Sequence, residues 1–238
     1  SIIIHLLIKD LSNNQKYTII GTAIIIFMYR AIPTPGAGLN WFEIDILGFD
    51  QSFFAVLSII SASITLIGMF VFRKFMINTS IAKLFAILSI LSALLYLPSL
   101  LMYHDIHKTT SLLTNGIVDA RFIAILNTAV DSPLSQVAMI PLLAWIAKNA
   151  PIKYKATFFA VFASFTNLAL SAKELFTSYL NKVFVIKREV VDQKLDKVTE
   201  EANYTDLDNL LISIIIITLF VPLLTIIIIQ KSKLKSSD

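Results

Sequence analysis

The stretch that decides the fold lies at residues 52–72 and reads SFFAVLSIISASITLIGMFVF, without a charged side chain. Arg73 and Lys74 follow it directly. A bilayer core of roughly 30 Å requires about 20 residues of α-helix, which is the length of this stretch. It therefore predicts a helix that crosses a membrane and ends at a basic pair, as membrane helices often do.

The composition of the chain agrees with a membrane environment. Apolar residues make up 56% of the 238 residues and charged residues 15%, whereas soluble domains are about 45–50% apolar and about 25% charged. The mean hydropathy is +0.77. We therefore expect an integral membrane protein whose main partner is the lipid bilayer.

Several function classes are excluded or disfavoured. The net charge of +4 does not indicate a nucleic-acid partner, because the basic residues cluster between apolar runs. There is no cysteine. His104 and His107 flank Asp105 at a spacing that allows a metal site, but a wet loop beside a helix end is the favoured interpretation. The motifs GxSxG and HExxH and a phosphate-binding glycine-rich loop are missing, so we expect no enzyme, no metal and no cofactor.

Five further segments predict membrane spans. The segments 81–102 and 207–230 are almost purely apolar, and 17–32 is shorter and stops before Pro33. Two others contain charged residues, which favours a position inside a bundle rather than against lipid. The predicted fold class is all-α, a polytopic membrane bundle of six transmembrane helices at approximately 17–32, 52–72, 81–102, 116–147, 154–185 and 207–230.

The segments outside the spans predict the orientation. Residues 1–16 are interpreted as a cytoplasmic linker or an interfacial segment, and 231–238 as a cytoplasmic tail. Residues 186–206 predict an extracytoplasmic charged loop, in which 187–204 has the pattern of a solvated helix or a flexible arm. Basic residues are more frequent on the side that holds both termini. We therefore expect a multi-pass protein of the cell (inner) membrane with both ends cytoplasmic.

A stripe of polar and small residues runs along the predicted span 154–185. Steps of three and four place its members on one helical face: Thr157, Ala160, Ser164, Asn167, Ser171, Glu174 and Ser178. Such a stripe lines a cavity or forms a helix contact. Glu174 favours the cavity, because a carboxylate in a span requires a cation, a proton or water. Lys173 points about 100° away, and we expect it to reach the outer surface rather than to pair with another helix.

A second polar face lies on the predicted span 116–147. Asn127, Asp131 and Ser135 are spaced by four residues, and Thr128, Ser132 and Gln136 widen that face. Pro133 and Pro141 predict a kink, and kinked spans with a polar face are common in transporters. Asp119 and Arg121 lie near the outer end of this segment, where they are either inside the bundle or fully wet at the interface.

Arg30 ends the first predicted span, just before a break rich in proline and glycine at 33–38. Its guanidinium suits a carboxylate ligand, because it can donate two parallel hydrogen bonds. An ion pair with Glu43 or Asp45 is an equally reasonable structural role.

Several short stretches of the sequence carry a family resemblance. Residues 31–36 read AIPTPG, 40–42 read NWF and 47–50 read LGFD. They resemble the junction of the seventh and eighth spans of the folate–biopterin transporter family. Residues 121–122 (RF), 127–130 (NTAV) and 139–142 (MIPL) are similar to its tenth span, and 155–160 (KATFFA) with 164–168 (SFTNL) to its eleventh. Together these stretches extend over most of residues 17–230.

The resemblance implies a fold and a function. The family belongs to the major facilitator superfamily, whose members have twelve spans in two halves. This chain would therefore be the C-terminal six-span half, and its partner would be the missing N-terminal six-span half. The resemblance implies symport or exchange of folate, pterin-like or other small anionic solutes by alternating access. Asp131 departs from the family pattern, which leaves the exact substrate open.

Candidate roles follow for the polar residues. The candidate substrate ligands are Arg30, Arg121, Asn127, Asp131, Gln136, Ser164, Asn167 and Ser171. Asp119 and Glu174 are candidates for proton coupling. Two alternatives stay open: a membrane interaction subunit that does not transport and uses its polar stripe for packing, and an inactive truncated remnant of a transporter gene.

Overall fold

The computed structural model describes residues 12–137, 155–192 and 197–235, and this part of the chain is mostly helical. Two short strands, β1 (Val190–Asp192) and β2 (Lys197–Glu200), precede the last helix. The helices are α1 (Asn13–Arg30), α2 (Ala37–Asp45), α3 (Gln51–Val71), α4 (Arg73–Asn78), α5 (Ile81–Leu95), α6 (Leu97–Tyr103), α7 (Ile106–Leu113), α8 (Ala120–Val137), α9 (Lys155–Val183) and α10 (Leu207–Lys231).

Four helical segments of the described chain are long and apolar enough to cross a membrane. They are α3, the consecutive pair α5–α6 (Ile81–Tyr103), α9 and α10. The chain is therefore a helical, multi-pass membrane protein. The predicted spans 17–32 and 116–147 fall on α1 and α8, which do not combine that length and hydropathy within the described residues. Residues 138–147 of the second prediction lie outside those residues.

Polar side chains define where several helices begin. Ser12 forms a capping box with Gln15 at the start of α1. Asp50 caps α3 by accepting a hydrogen bond from the Phe53 N–H at 2.7 Å, and Asp119 accepts one from the Phe122 N–H at 2.8 Å as α8 begins. Each cap satisfies a backbone donor that the helix itself leaves free.

The pair α3–α8 packs closely because α3 has a glycine where α8 has a proline. A Cβ atom on Gly68 would lie 2.4 Å from the Pro133 Cβ, so only glycine permits this approach. Nearby, the Thr65 hydroxyl donates to the Ser132 carbonyl at 3.1 Å. The Ser132 and Ser61 hydroxyls are 2.8 Å apart. Small and polar contacts of this kind join helices within a bilayer, where apolar burial alone gives little preference for association.

The main apolar core joins α1, α5, α8, α9 and α10. Leu84 and Phe85 of α5 and Ile25 of α1 are fully buried in it. A second cluster lies at the end of the bundle where α10 begins, and it combines Phe42 of α2 with Leu207, Leu210, Leu211 and Ile214. Through these two clusters, α10 packs against α1 on one side and against α5–α6 on the other.

Within the described part of residues 187–203, β1 and β2 pair as an antiparallel hairpin, so the prediction of a solvated helix or a flexible arm was wrong. Val191 of β1 pairs with Val198 of the antiparallel β2, and Lys187 bridges to Asn203 beyond the strands. The charged residues concealed a β-branched pattern, because Val190, Val191, Val198 and Thr199 stand among them. Such residues favour strands over helices.

Candidate functional site

A polar cavity of about 230 Å³ opens between the helices of the main bundle. Its walls come from the end of α1 and the following loop, and from α5, α8, α9 and α10. Both cationic and anionic side chains reach it. The lining residues are Tyr29, Arg30, Ile32, Pro33, Thr34, Ser92, Tyr96, Asp131, Leu134, Leu170, Lys173 and Thr218.

Arg30 is positioned by the break after α1. Pro33 and Pro35 prevent the helix from continuing, and Gly36 adopts a φ of 69°, a left-handed conformation that glycine tolerates best. The loop is attached to α9 by two hydrogen bonds. The Thr34 N–H donates to the Thr177 hydroxyl at 3.0 Å, and the Asn181 amide donates to the Pro35 carbonyl at 3.2 Å. Arg30 thus enters the cavity from a fixed turn.

Lys173 reaches the same cavity, so the expectation that it extends to the outer surface is corrected. The face of α9 that packs against the bundle repeats every three or four residues: Phe158, Phe162, Thr166, Ala169 and Thr177. Lys173 lies between the last two of these in the same register, and it is half-buried. Because of this register, the Lys173 ammonium lies on the side of α9 that faces the cavity.

Asp131 of α8 supplies the carboxylate of the cavity. It is near enough to Lys173 for their charges to interact. Around them lie two tyrosines, of which Tyr29 shares a hydrogen bond with Ser92 at 3.3 Å between the hydroxyl oxygens. Among the described residues, the charged side chains that line the cavity are therefore Arg30, Lys173 and Asp131.

Two polar atoms at this cavity have no hydrogen-bond partner within the described ranges. They are Nε of Arg30 and Oγ1 of Thr218, whose side chain is 2% exposed. Buried donors and acceptors are nearly always paired in proteins, either with protein atoms or with water or a ligand. The cavity therefore has hydrogen-bonding capacity that the surrounding protein leaves unused.

The polar stripe of α9 faces away from the bundle. Ala160, Ser164, Asn167, Ser171, Glu174 and Ser178 are all exposed. The hydroxyls of Ser164 and Ser171 donate to the backbone carbonyls of Ala160 and Asn167, at 2.9 and 3.1 Å, so neither is left unsatisfied. The stripe and the cavity therefore lie on different faces of the same helix.

Three further candidates, Arg121, Asp119 and Asn127, are not among the residues that line the cavity. Arg121 is exposed, is 3.4 Å from Asp50 and lies over the Phe53 ring at 5.2 Å from its centroid. Asp119 acts as a helix cap. Asn127 is half-buried on α8, and its Oδ1 has no hydrogen-bond partner among the described residues. The side chain of Gln136 is outside the described part.

Of the charged residues that line the cavity, Arg30 and Asp131 are predicted as candidate ligands from the sequence, but Lys173 is not. The spacing of Lys173 from Phe162, Thr166 and Ala169 is visible in the sequence, but only the structure shows that this face of α9 packs against the bundle. Nothing in the sequence singles out Tyr29, Tyr96 and Thr218, because single hydroxyls on apolar helices occur in many packing contexts.

For metals, the described ranges contain no group of three or more His, Asp or Glu residues that could hold an ion.

Comparison with known protein families gives a match that extends over most of the chain. The family model of the BT1 family, the folate–biopterin transporters, matches residues 6–238. No curated protein and no solved structure matches the chain. Members of the matched family are transporters rather than enzymes. With the match extending over nearly the whole sequence, the chain belongs to the BT1 family of folate–biopterin transporters.

Proposed function

We propose that the chain is half of a secondary active transporter that moves folate, pterin-like or other small anionic solutes by alternating access. Membership of the BT1 family indicates a membrane transporter. The observation that carries the finer proposal is the cavity, in which Arg30 and Lys173 face one carboxylate, Asp131.

The charges of the cavity favour an anionic solute. Two cations and one carboxylate leave an excess of one positive charge when all three are ionised. The guanidinium of Arg30 has an unused donor, and an arginine can bind a carboxylate through two parallel hydrogen bonds. Tyr29 and Tyr96 give the cavity aromatic surface, on which a flat ring can stack.

We assign the coupling of solute to protons to Asp131 first and to Glu174 second. A solute carboxylate that binds Lys173 competes with Asp131 for the same ammonium, which would favour protonation of Asp131 while the solute is bound. Glu174 lies on the exposed stripe, where a facing half would bury it. Asp119 already serves α8 as a cap, which leaves it the weaker candidate.

The missing N-terminal half is the proposed partner of the exposed stripe. Ser164, Asn167 and Ser171 present small polar side chains on a helix that is apolar enough to span a membrane. Such a face is costly against lipid and suits another polar helix or a wet cleft. Six spans in this half, with both ends cytoplasmic, would let the two halves rock about a solute held between them.

Uptake of radiolabelled folate tests the proposal. Cells would express the chain alone, or together with a separately encoded N-terminal half from another member of the family. We expect uptake only with the added half. Uptake by the chain alone would contradict the proposal of a half-transporter, and absence of uptake in both cases would favour a subunit that does not transport.

Variants then locate the site. Arg30→Gln and Lys173→Gln should each reduce uptake by about tenfold or more, because each removes a charge-assisted hydrogen bond to the solute. Arg121→Gln is the matched control, since Arg121 is a surface cation paired with Asp50, and it should change uptake by less than about twofold. Equal losses in all three variants would contradict the assignment of the cavity.

A further inference from the structure

Helix α7 has its polar and apolar sides reversed relative to a helix in water. The side that faces the protein carries His107, Thr110, Ser111 and Thr114, all of them half-buried. The outward side carries Leu112 and Leu113, which are 82% and 80% exposed. A surface helix in water normally shows the opposite arrangement.

Two threonines on the polar side of α7 bond to its last turn and to the turn that follows it. The Thr110 hydroxyl donates to the Val118 carbonyl at 2.8 Å, and the Val118 N–H donates to the Thr114 hydroxyl at 2.9 Å. The Thr114 hydroxyl in turn donates to the Thr110 carbonyl at 2.7 Å. These bonds tie the end of α7 to the following turn, so the leucines are held outward by a hydrogen-bonded frame.

The outward apolar surface continues beyond the helix. Ile106, at the start of α7, is 40% exposed, and Ile117, just after it, is 68% exposed. On the preceding helix α6, which ends a membrane span, Leu97 and Leu101 are also exposed. The apolar surface of α7 therefore adjoins the surface that the spanning helix α5–α6 presents to lipid.

The position and charges of α7 indicate which surface it meets. It connects α6 to α8 at the end of the bundle where a span stops. Lys108 is exposed and forms an ion pair with Asp105 at 2.8 Å, so charge lies beside the leucines. Charged groups next to large apolar side chains are typical of helices that lie in the headgroup region of a bilayer.

We propose that α7 is an interfacial anchor that lies along the membrane surface, with Leu112, Leu113 and Ile117 inserted at the boundary between headgroups and acyl chains. The partner is the lipid bilayer itself. The anchor would fix the depth of the α6–α8 connection, and it does not depend on what the protein transports.

Site-directed spin labelling tests this anchor directly. The natural sequence has no cysteine, so single variants Leu112→Cys, Leu113→Cys and Ile117→Cys each carry one nitroxide. The protein would be placed in nanodiscs of phosphatidylcholine and phosphatidylglycerol. Collision of each label with oxygen, which concentrates in lipid, is compared with collision with a water-soluble nickel complex.

Two matched sites calibrate the measurement. Leu66 is exposed on the spanning helix α3, and Glu189 is exposed beside the hairpin. We expect the oxygen-to-nickel collision ratio at 112, 113 and 117 to lie between those of the Leu66→Cys and Glu189→Cys labels. It should exceed the Glu189→Cys value by several-fold.

Two results would overturn the anchor. A ratio equal to that of the Glu189→Cys label would place α7 in water. Protection from both reagents would show that a protein surface, from a second copy or a partner half, covers the leucines instead of lipid. Circular dichroism of each variant confirms the fold, and agreement among three labels guards against a local distortion at any one of them.

Discussion

Arg188 and Asp45 form a bidentate ion pair that joins the β-hairpin to helix α2. The Arg188 Nε donates to both carboxylate oxygens of Asp45 at 3.1 Å, and Nη2 donates to Oδ1 at 2.8 Å. The Tyr204 hydroxyl donates to Oδ2 of the same carboxylate. Because α2 and the hairpin are far apart in sequence, this ion pair is a long-range contact that holds the hairpin against α2. We call the three side chains Arg188, Asp45 and Tyr204 the clasp.

Removing the carboxylate from this clasp should loosen the hairpin. In Asp45→Asn, the guanidinium loses its bidentate partner, and the hairpin opens more often. We expect faster hydrogen exchange at the amides of Lys187 and Asn203, which bond to each other's carbonyls at 2.9 and 2.8 Å. Glu189→Gln, an exposed change beside the same strands, is the control. Unchanged exchange in Asp45→Asn would show that strand pairing alone maintains the hairpin.

The stability of the protein should fall as pH rises, because of Glu43. Burial raises the pKa of Glu43 from 4.5 to about 7. Between those values the folded protein retains a proton that the unfolded chain has lost, so unfolding becomes easier as pH increases, and the effect levels off above about 7. Glu43→Gln should remove this dependence and raise the free energy of unfolding at pH 8 by at most about 3 kcal/mol.

Thermal unfolding in detergent at pH 5 and pH 8 measures this effect. The difference in Tm between Glu43→Gln and the natural protein should be larger at pH 8. Asp45 does not interfere in this range. Desolvation raises the pKa of Asp45. Hydrogen bonds from Tyr204 and Arg188 and the charge of Arg188 outweigh that effect, so this pKa is lowered overall. The stabilisation by Asp45 is lost only in more acidic solution. An identical Tm shift at both pH values would exclude Glu43 as the titrating group.

The contact between Gly68 and Pro133 should make α3 intolerant of a methyl group. Gly68→Ala places a Cβ 2.4 Å from the Pro133 Cβ, so the two helices must separate. Overpacking of this kind costs about 1–3 kcal/mol. It should lower the Tm even though alanine favours helix formation over glycine. Ser63→Ala, at an exposed position of the same helix, should leave Tm nearly unchanged, and equal behaviour of the two variants would contradict the close approach.

Lys173 and Asp131 should be energetically coupled. Lys173→Gln and Asp131→Asn each leave one charge in the cavity without its counterpart, whereas the double variant removes both. The loss of stability in the double variant should therefore be smaller than the sum of the single losses, by about 0.5 kcal/mol or more. The pair Lys173→Gln and Glu174→Gln is the control, because these neighbours point to different faces of α9. Additive losses for Lys173 and Asp131 would place them too far apart to interact.

The sequence predicted the spanning helices better than it predicted the direction of single side chains. Length and hydropathy identify α3 and α10, because a helix that meets lipid on most sides has few alternatives. The sequence predicts that Lys173 extends to the outer surface, because the residue lies near a helix end. Its direction depends on which face of α9 packs against α1, which is a tertiary property.

The hairpin was missed for a different reason. Charge density gave residues 187–204 the pattern of a solvated segment, and the valines among those charges do not form an apolar face of their own. The strands are fixed by their pairing and by the clasp to Asp45, both of which join residues that are distant in sequence. The position of Arg30 at the end of α1 is easier to predict, because the Pro-Thr-Pro-Gly stretch that follows it ends a helix in any context.

The two hydrogen bonds from the loop 33–36 to Thr177 and Asn181 have a mechanical consequence. The loop is short, and its two prolines restrict its backbone. We therefore expect a tilt of α9 at the level of Thr177 to move this loop and the Arg30 side chain that precedes it. The exposed polar stripe lies on the same helix. A force applied to the stripe from outside the bundle would thus be transmitted to the cation in the cavity.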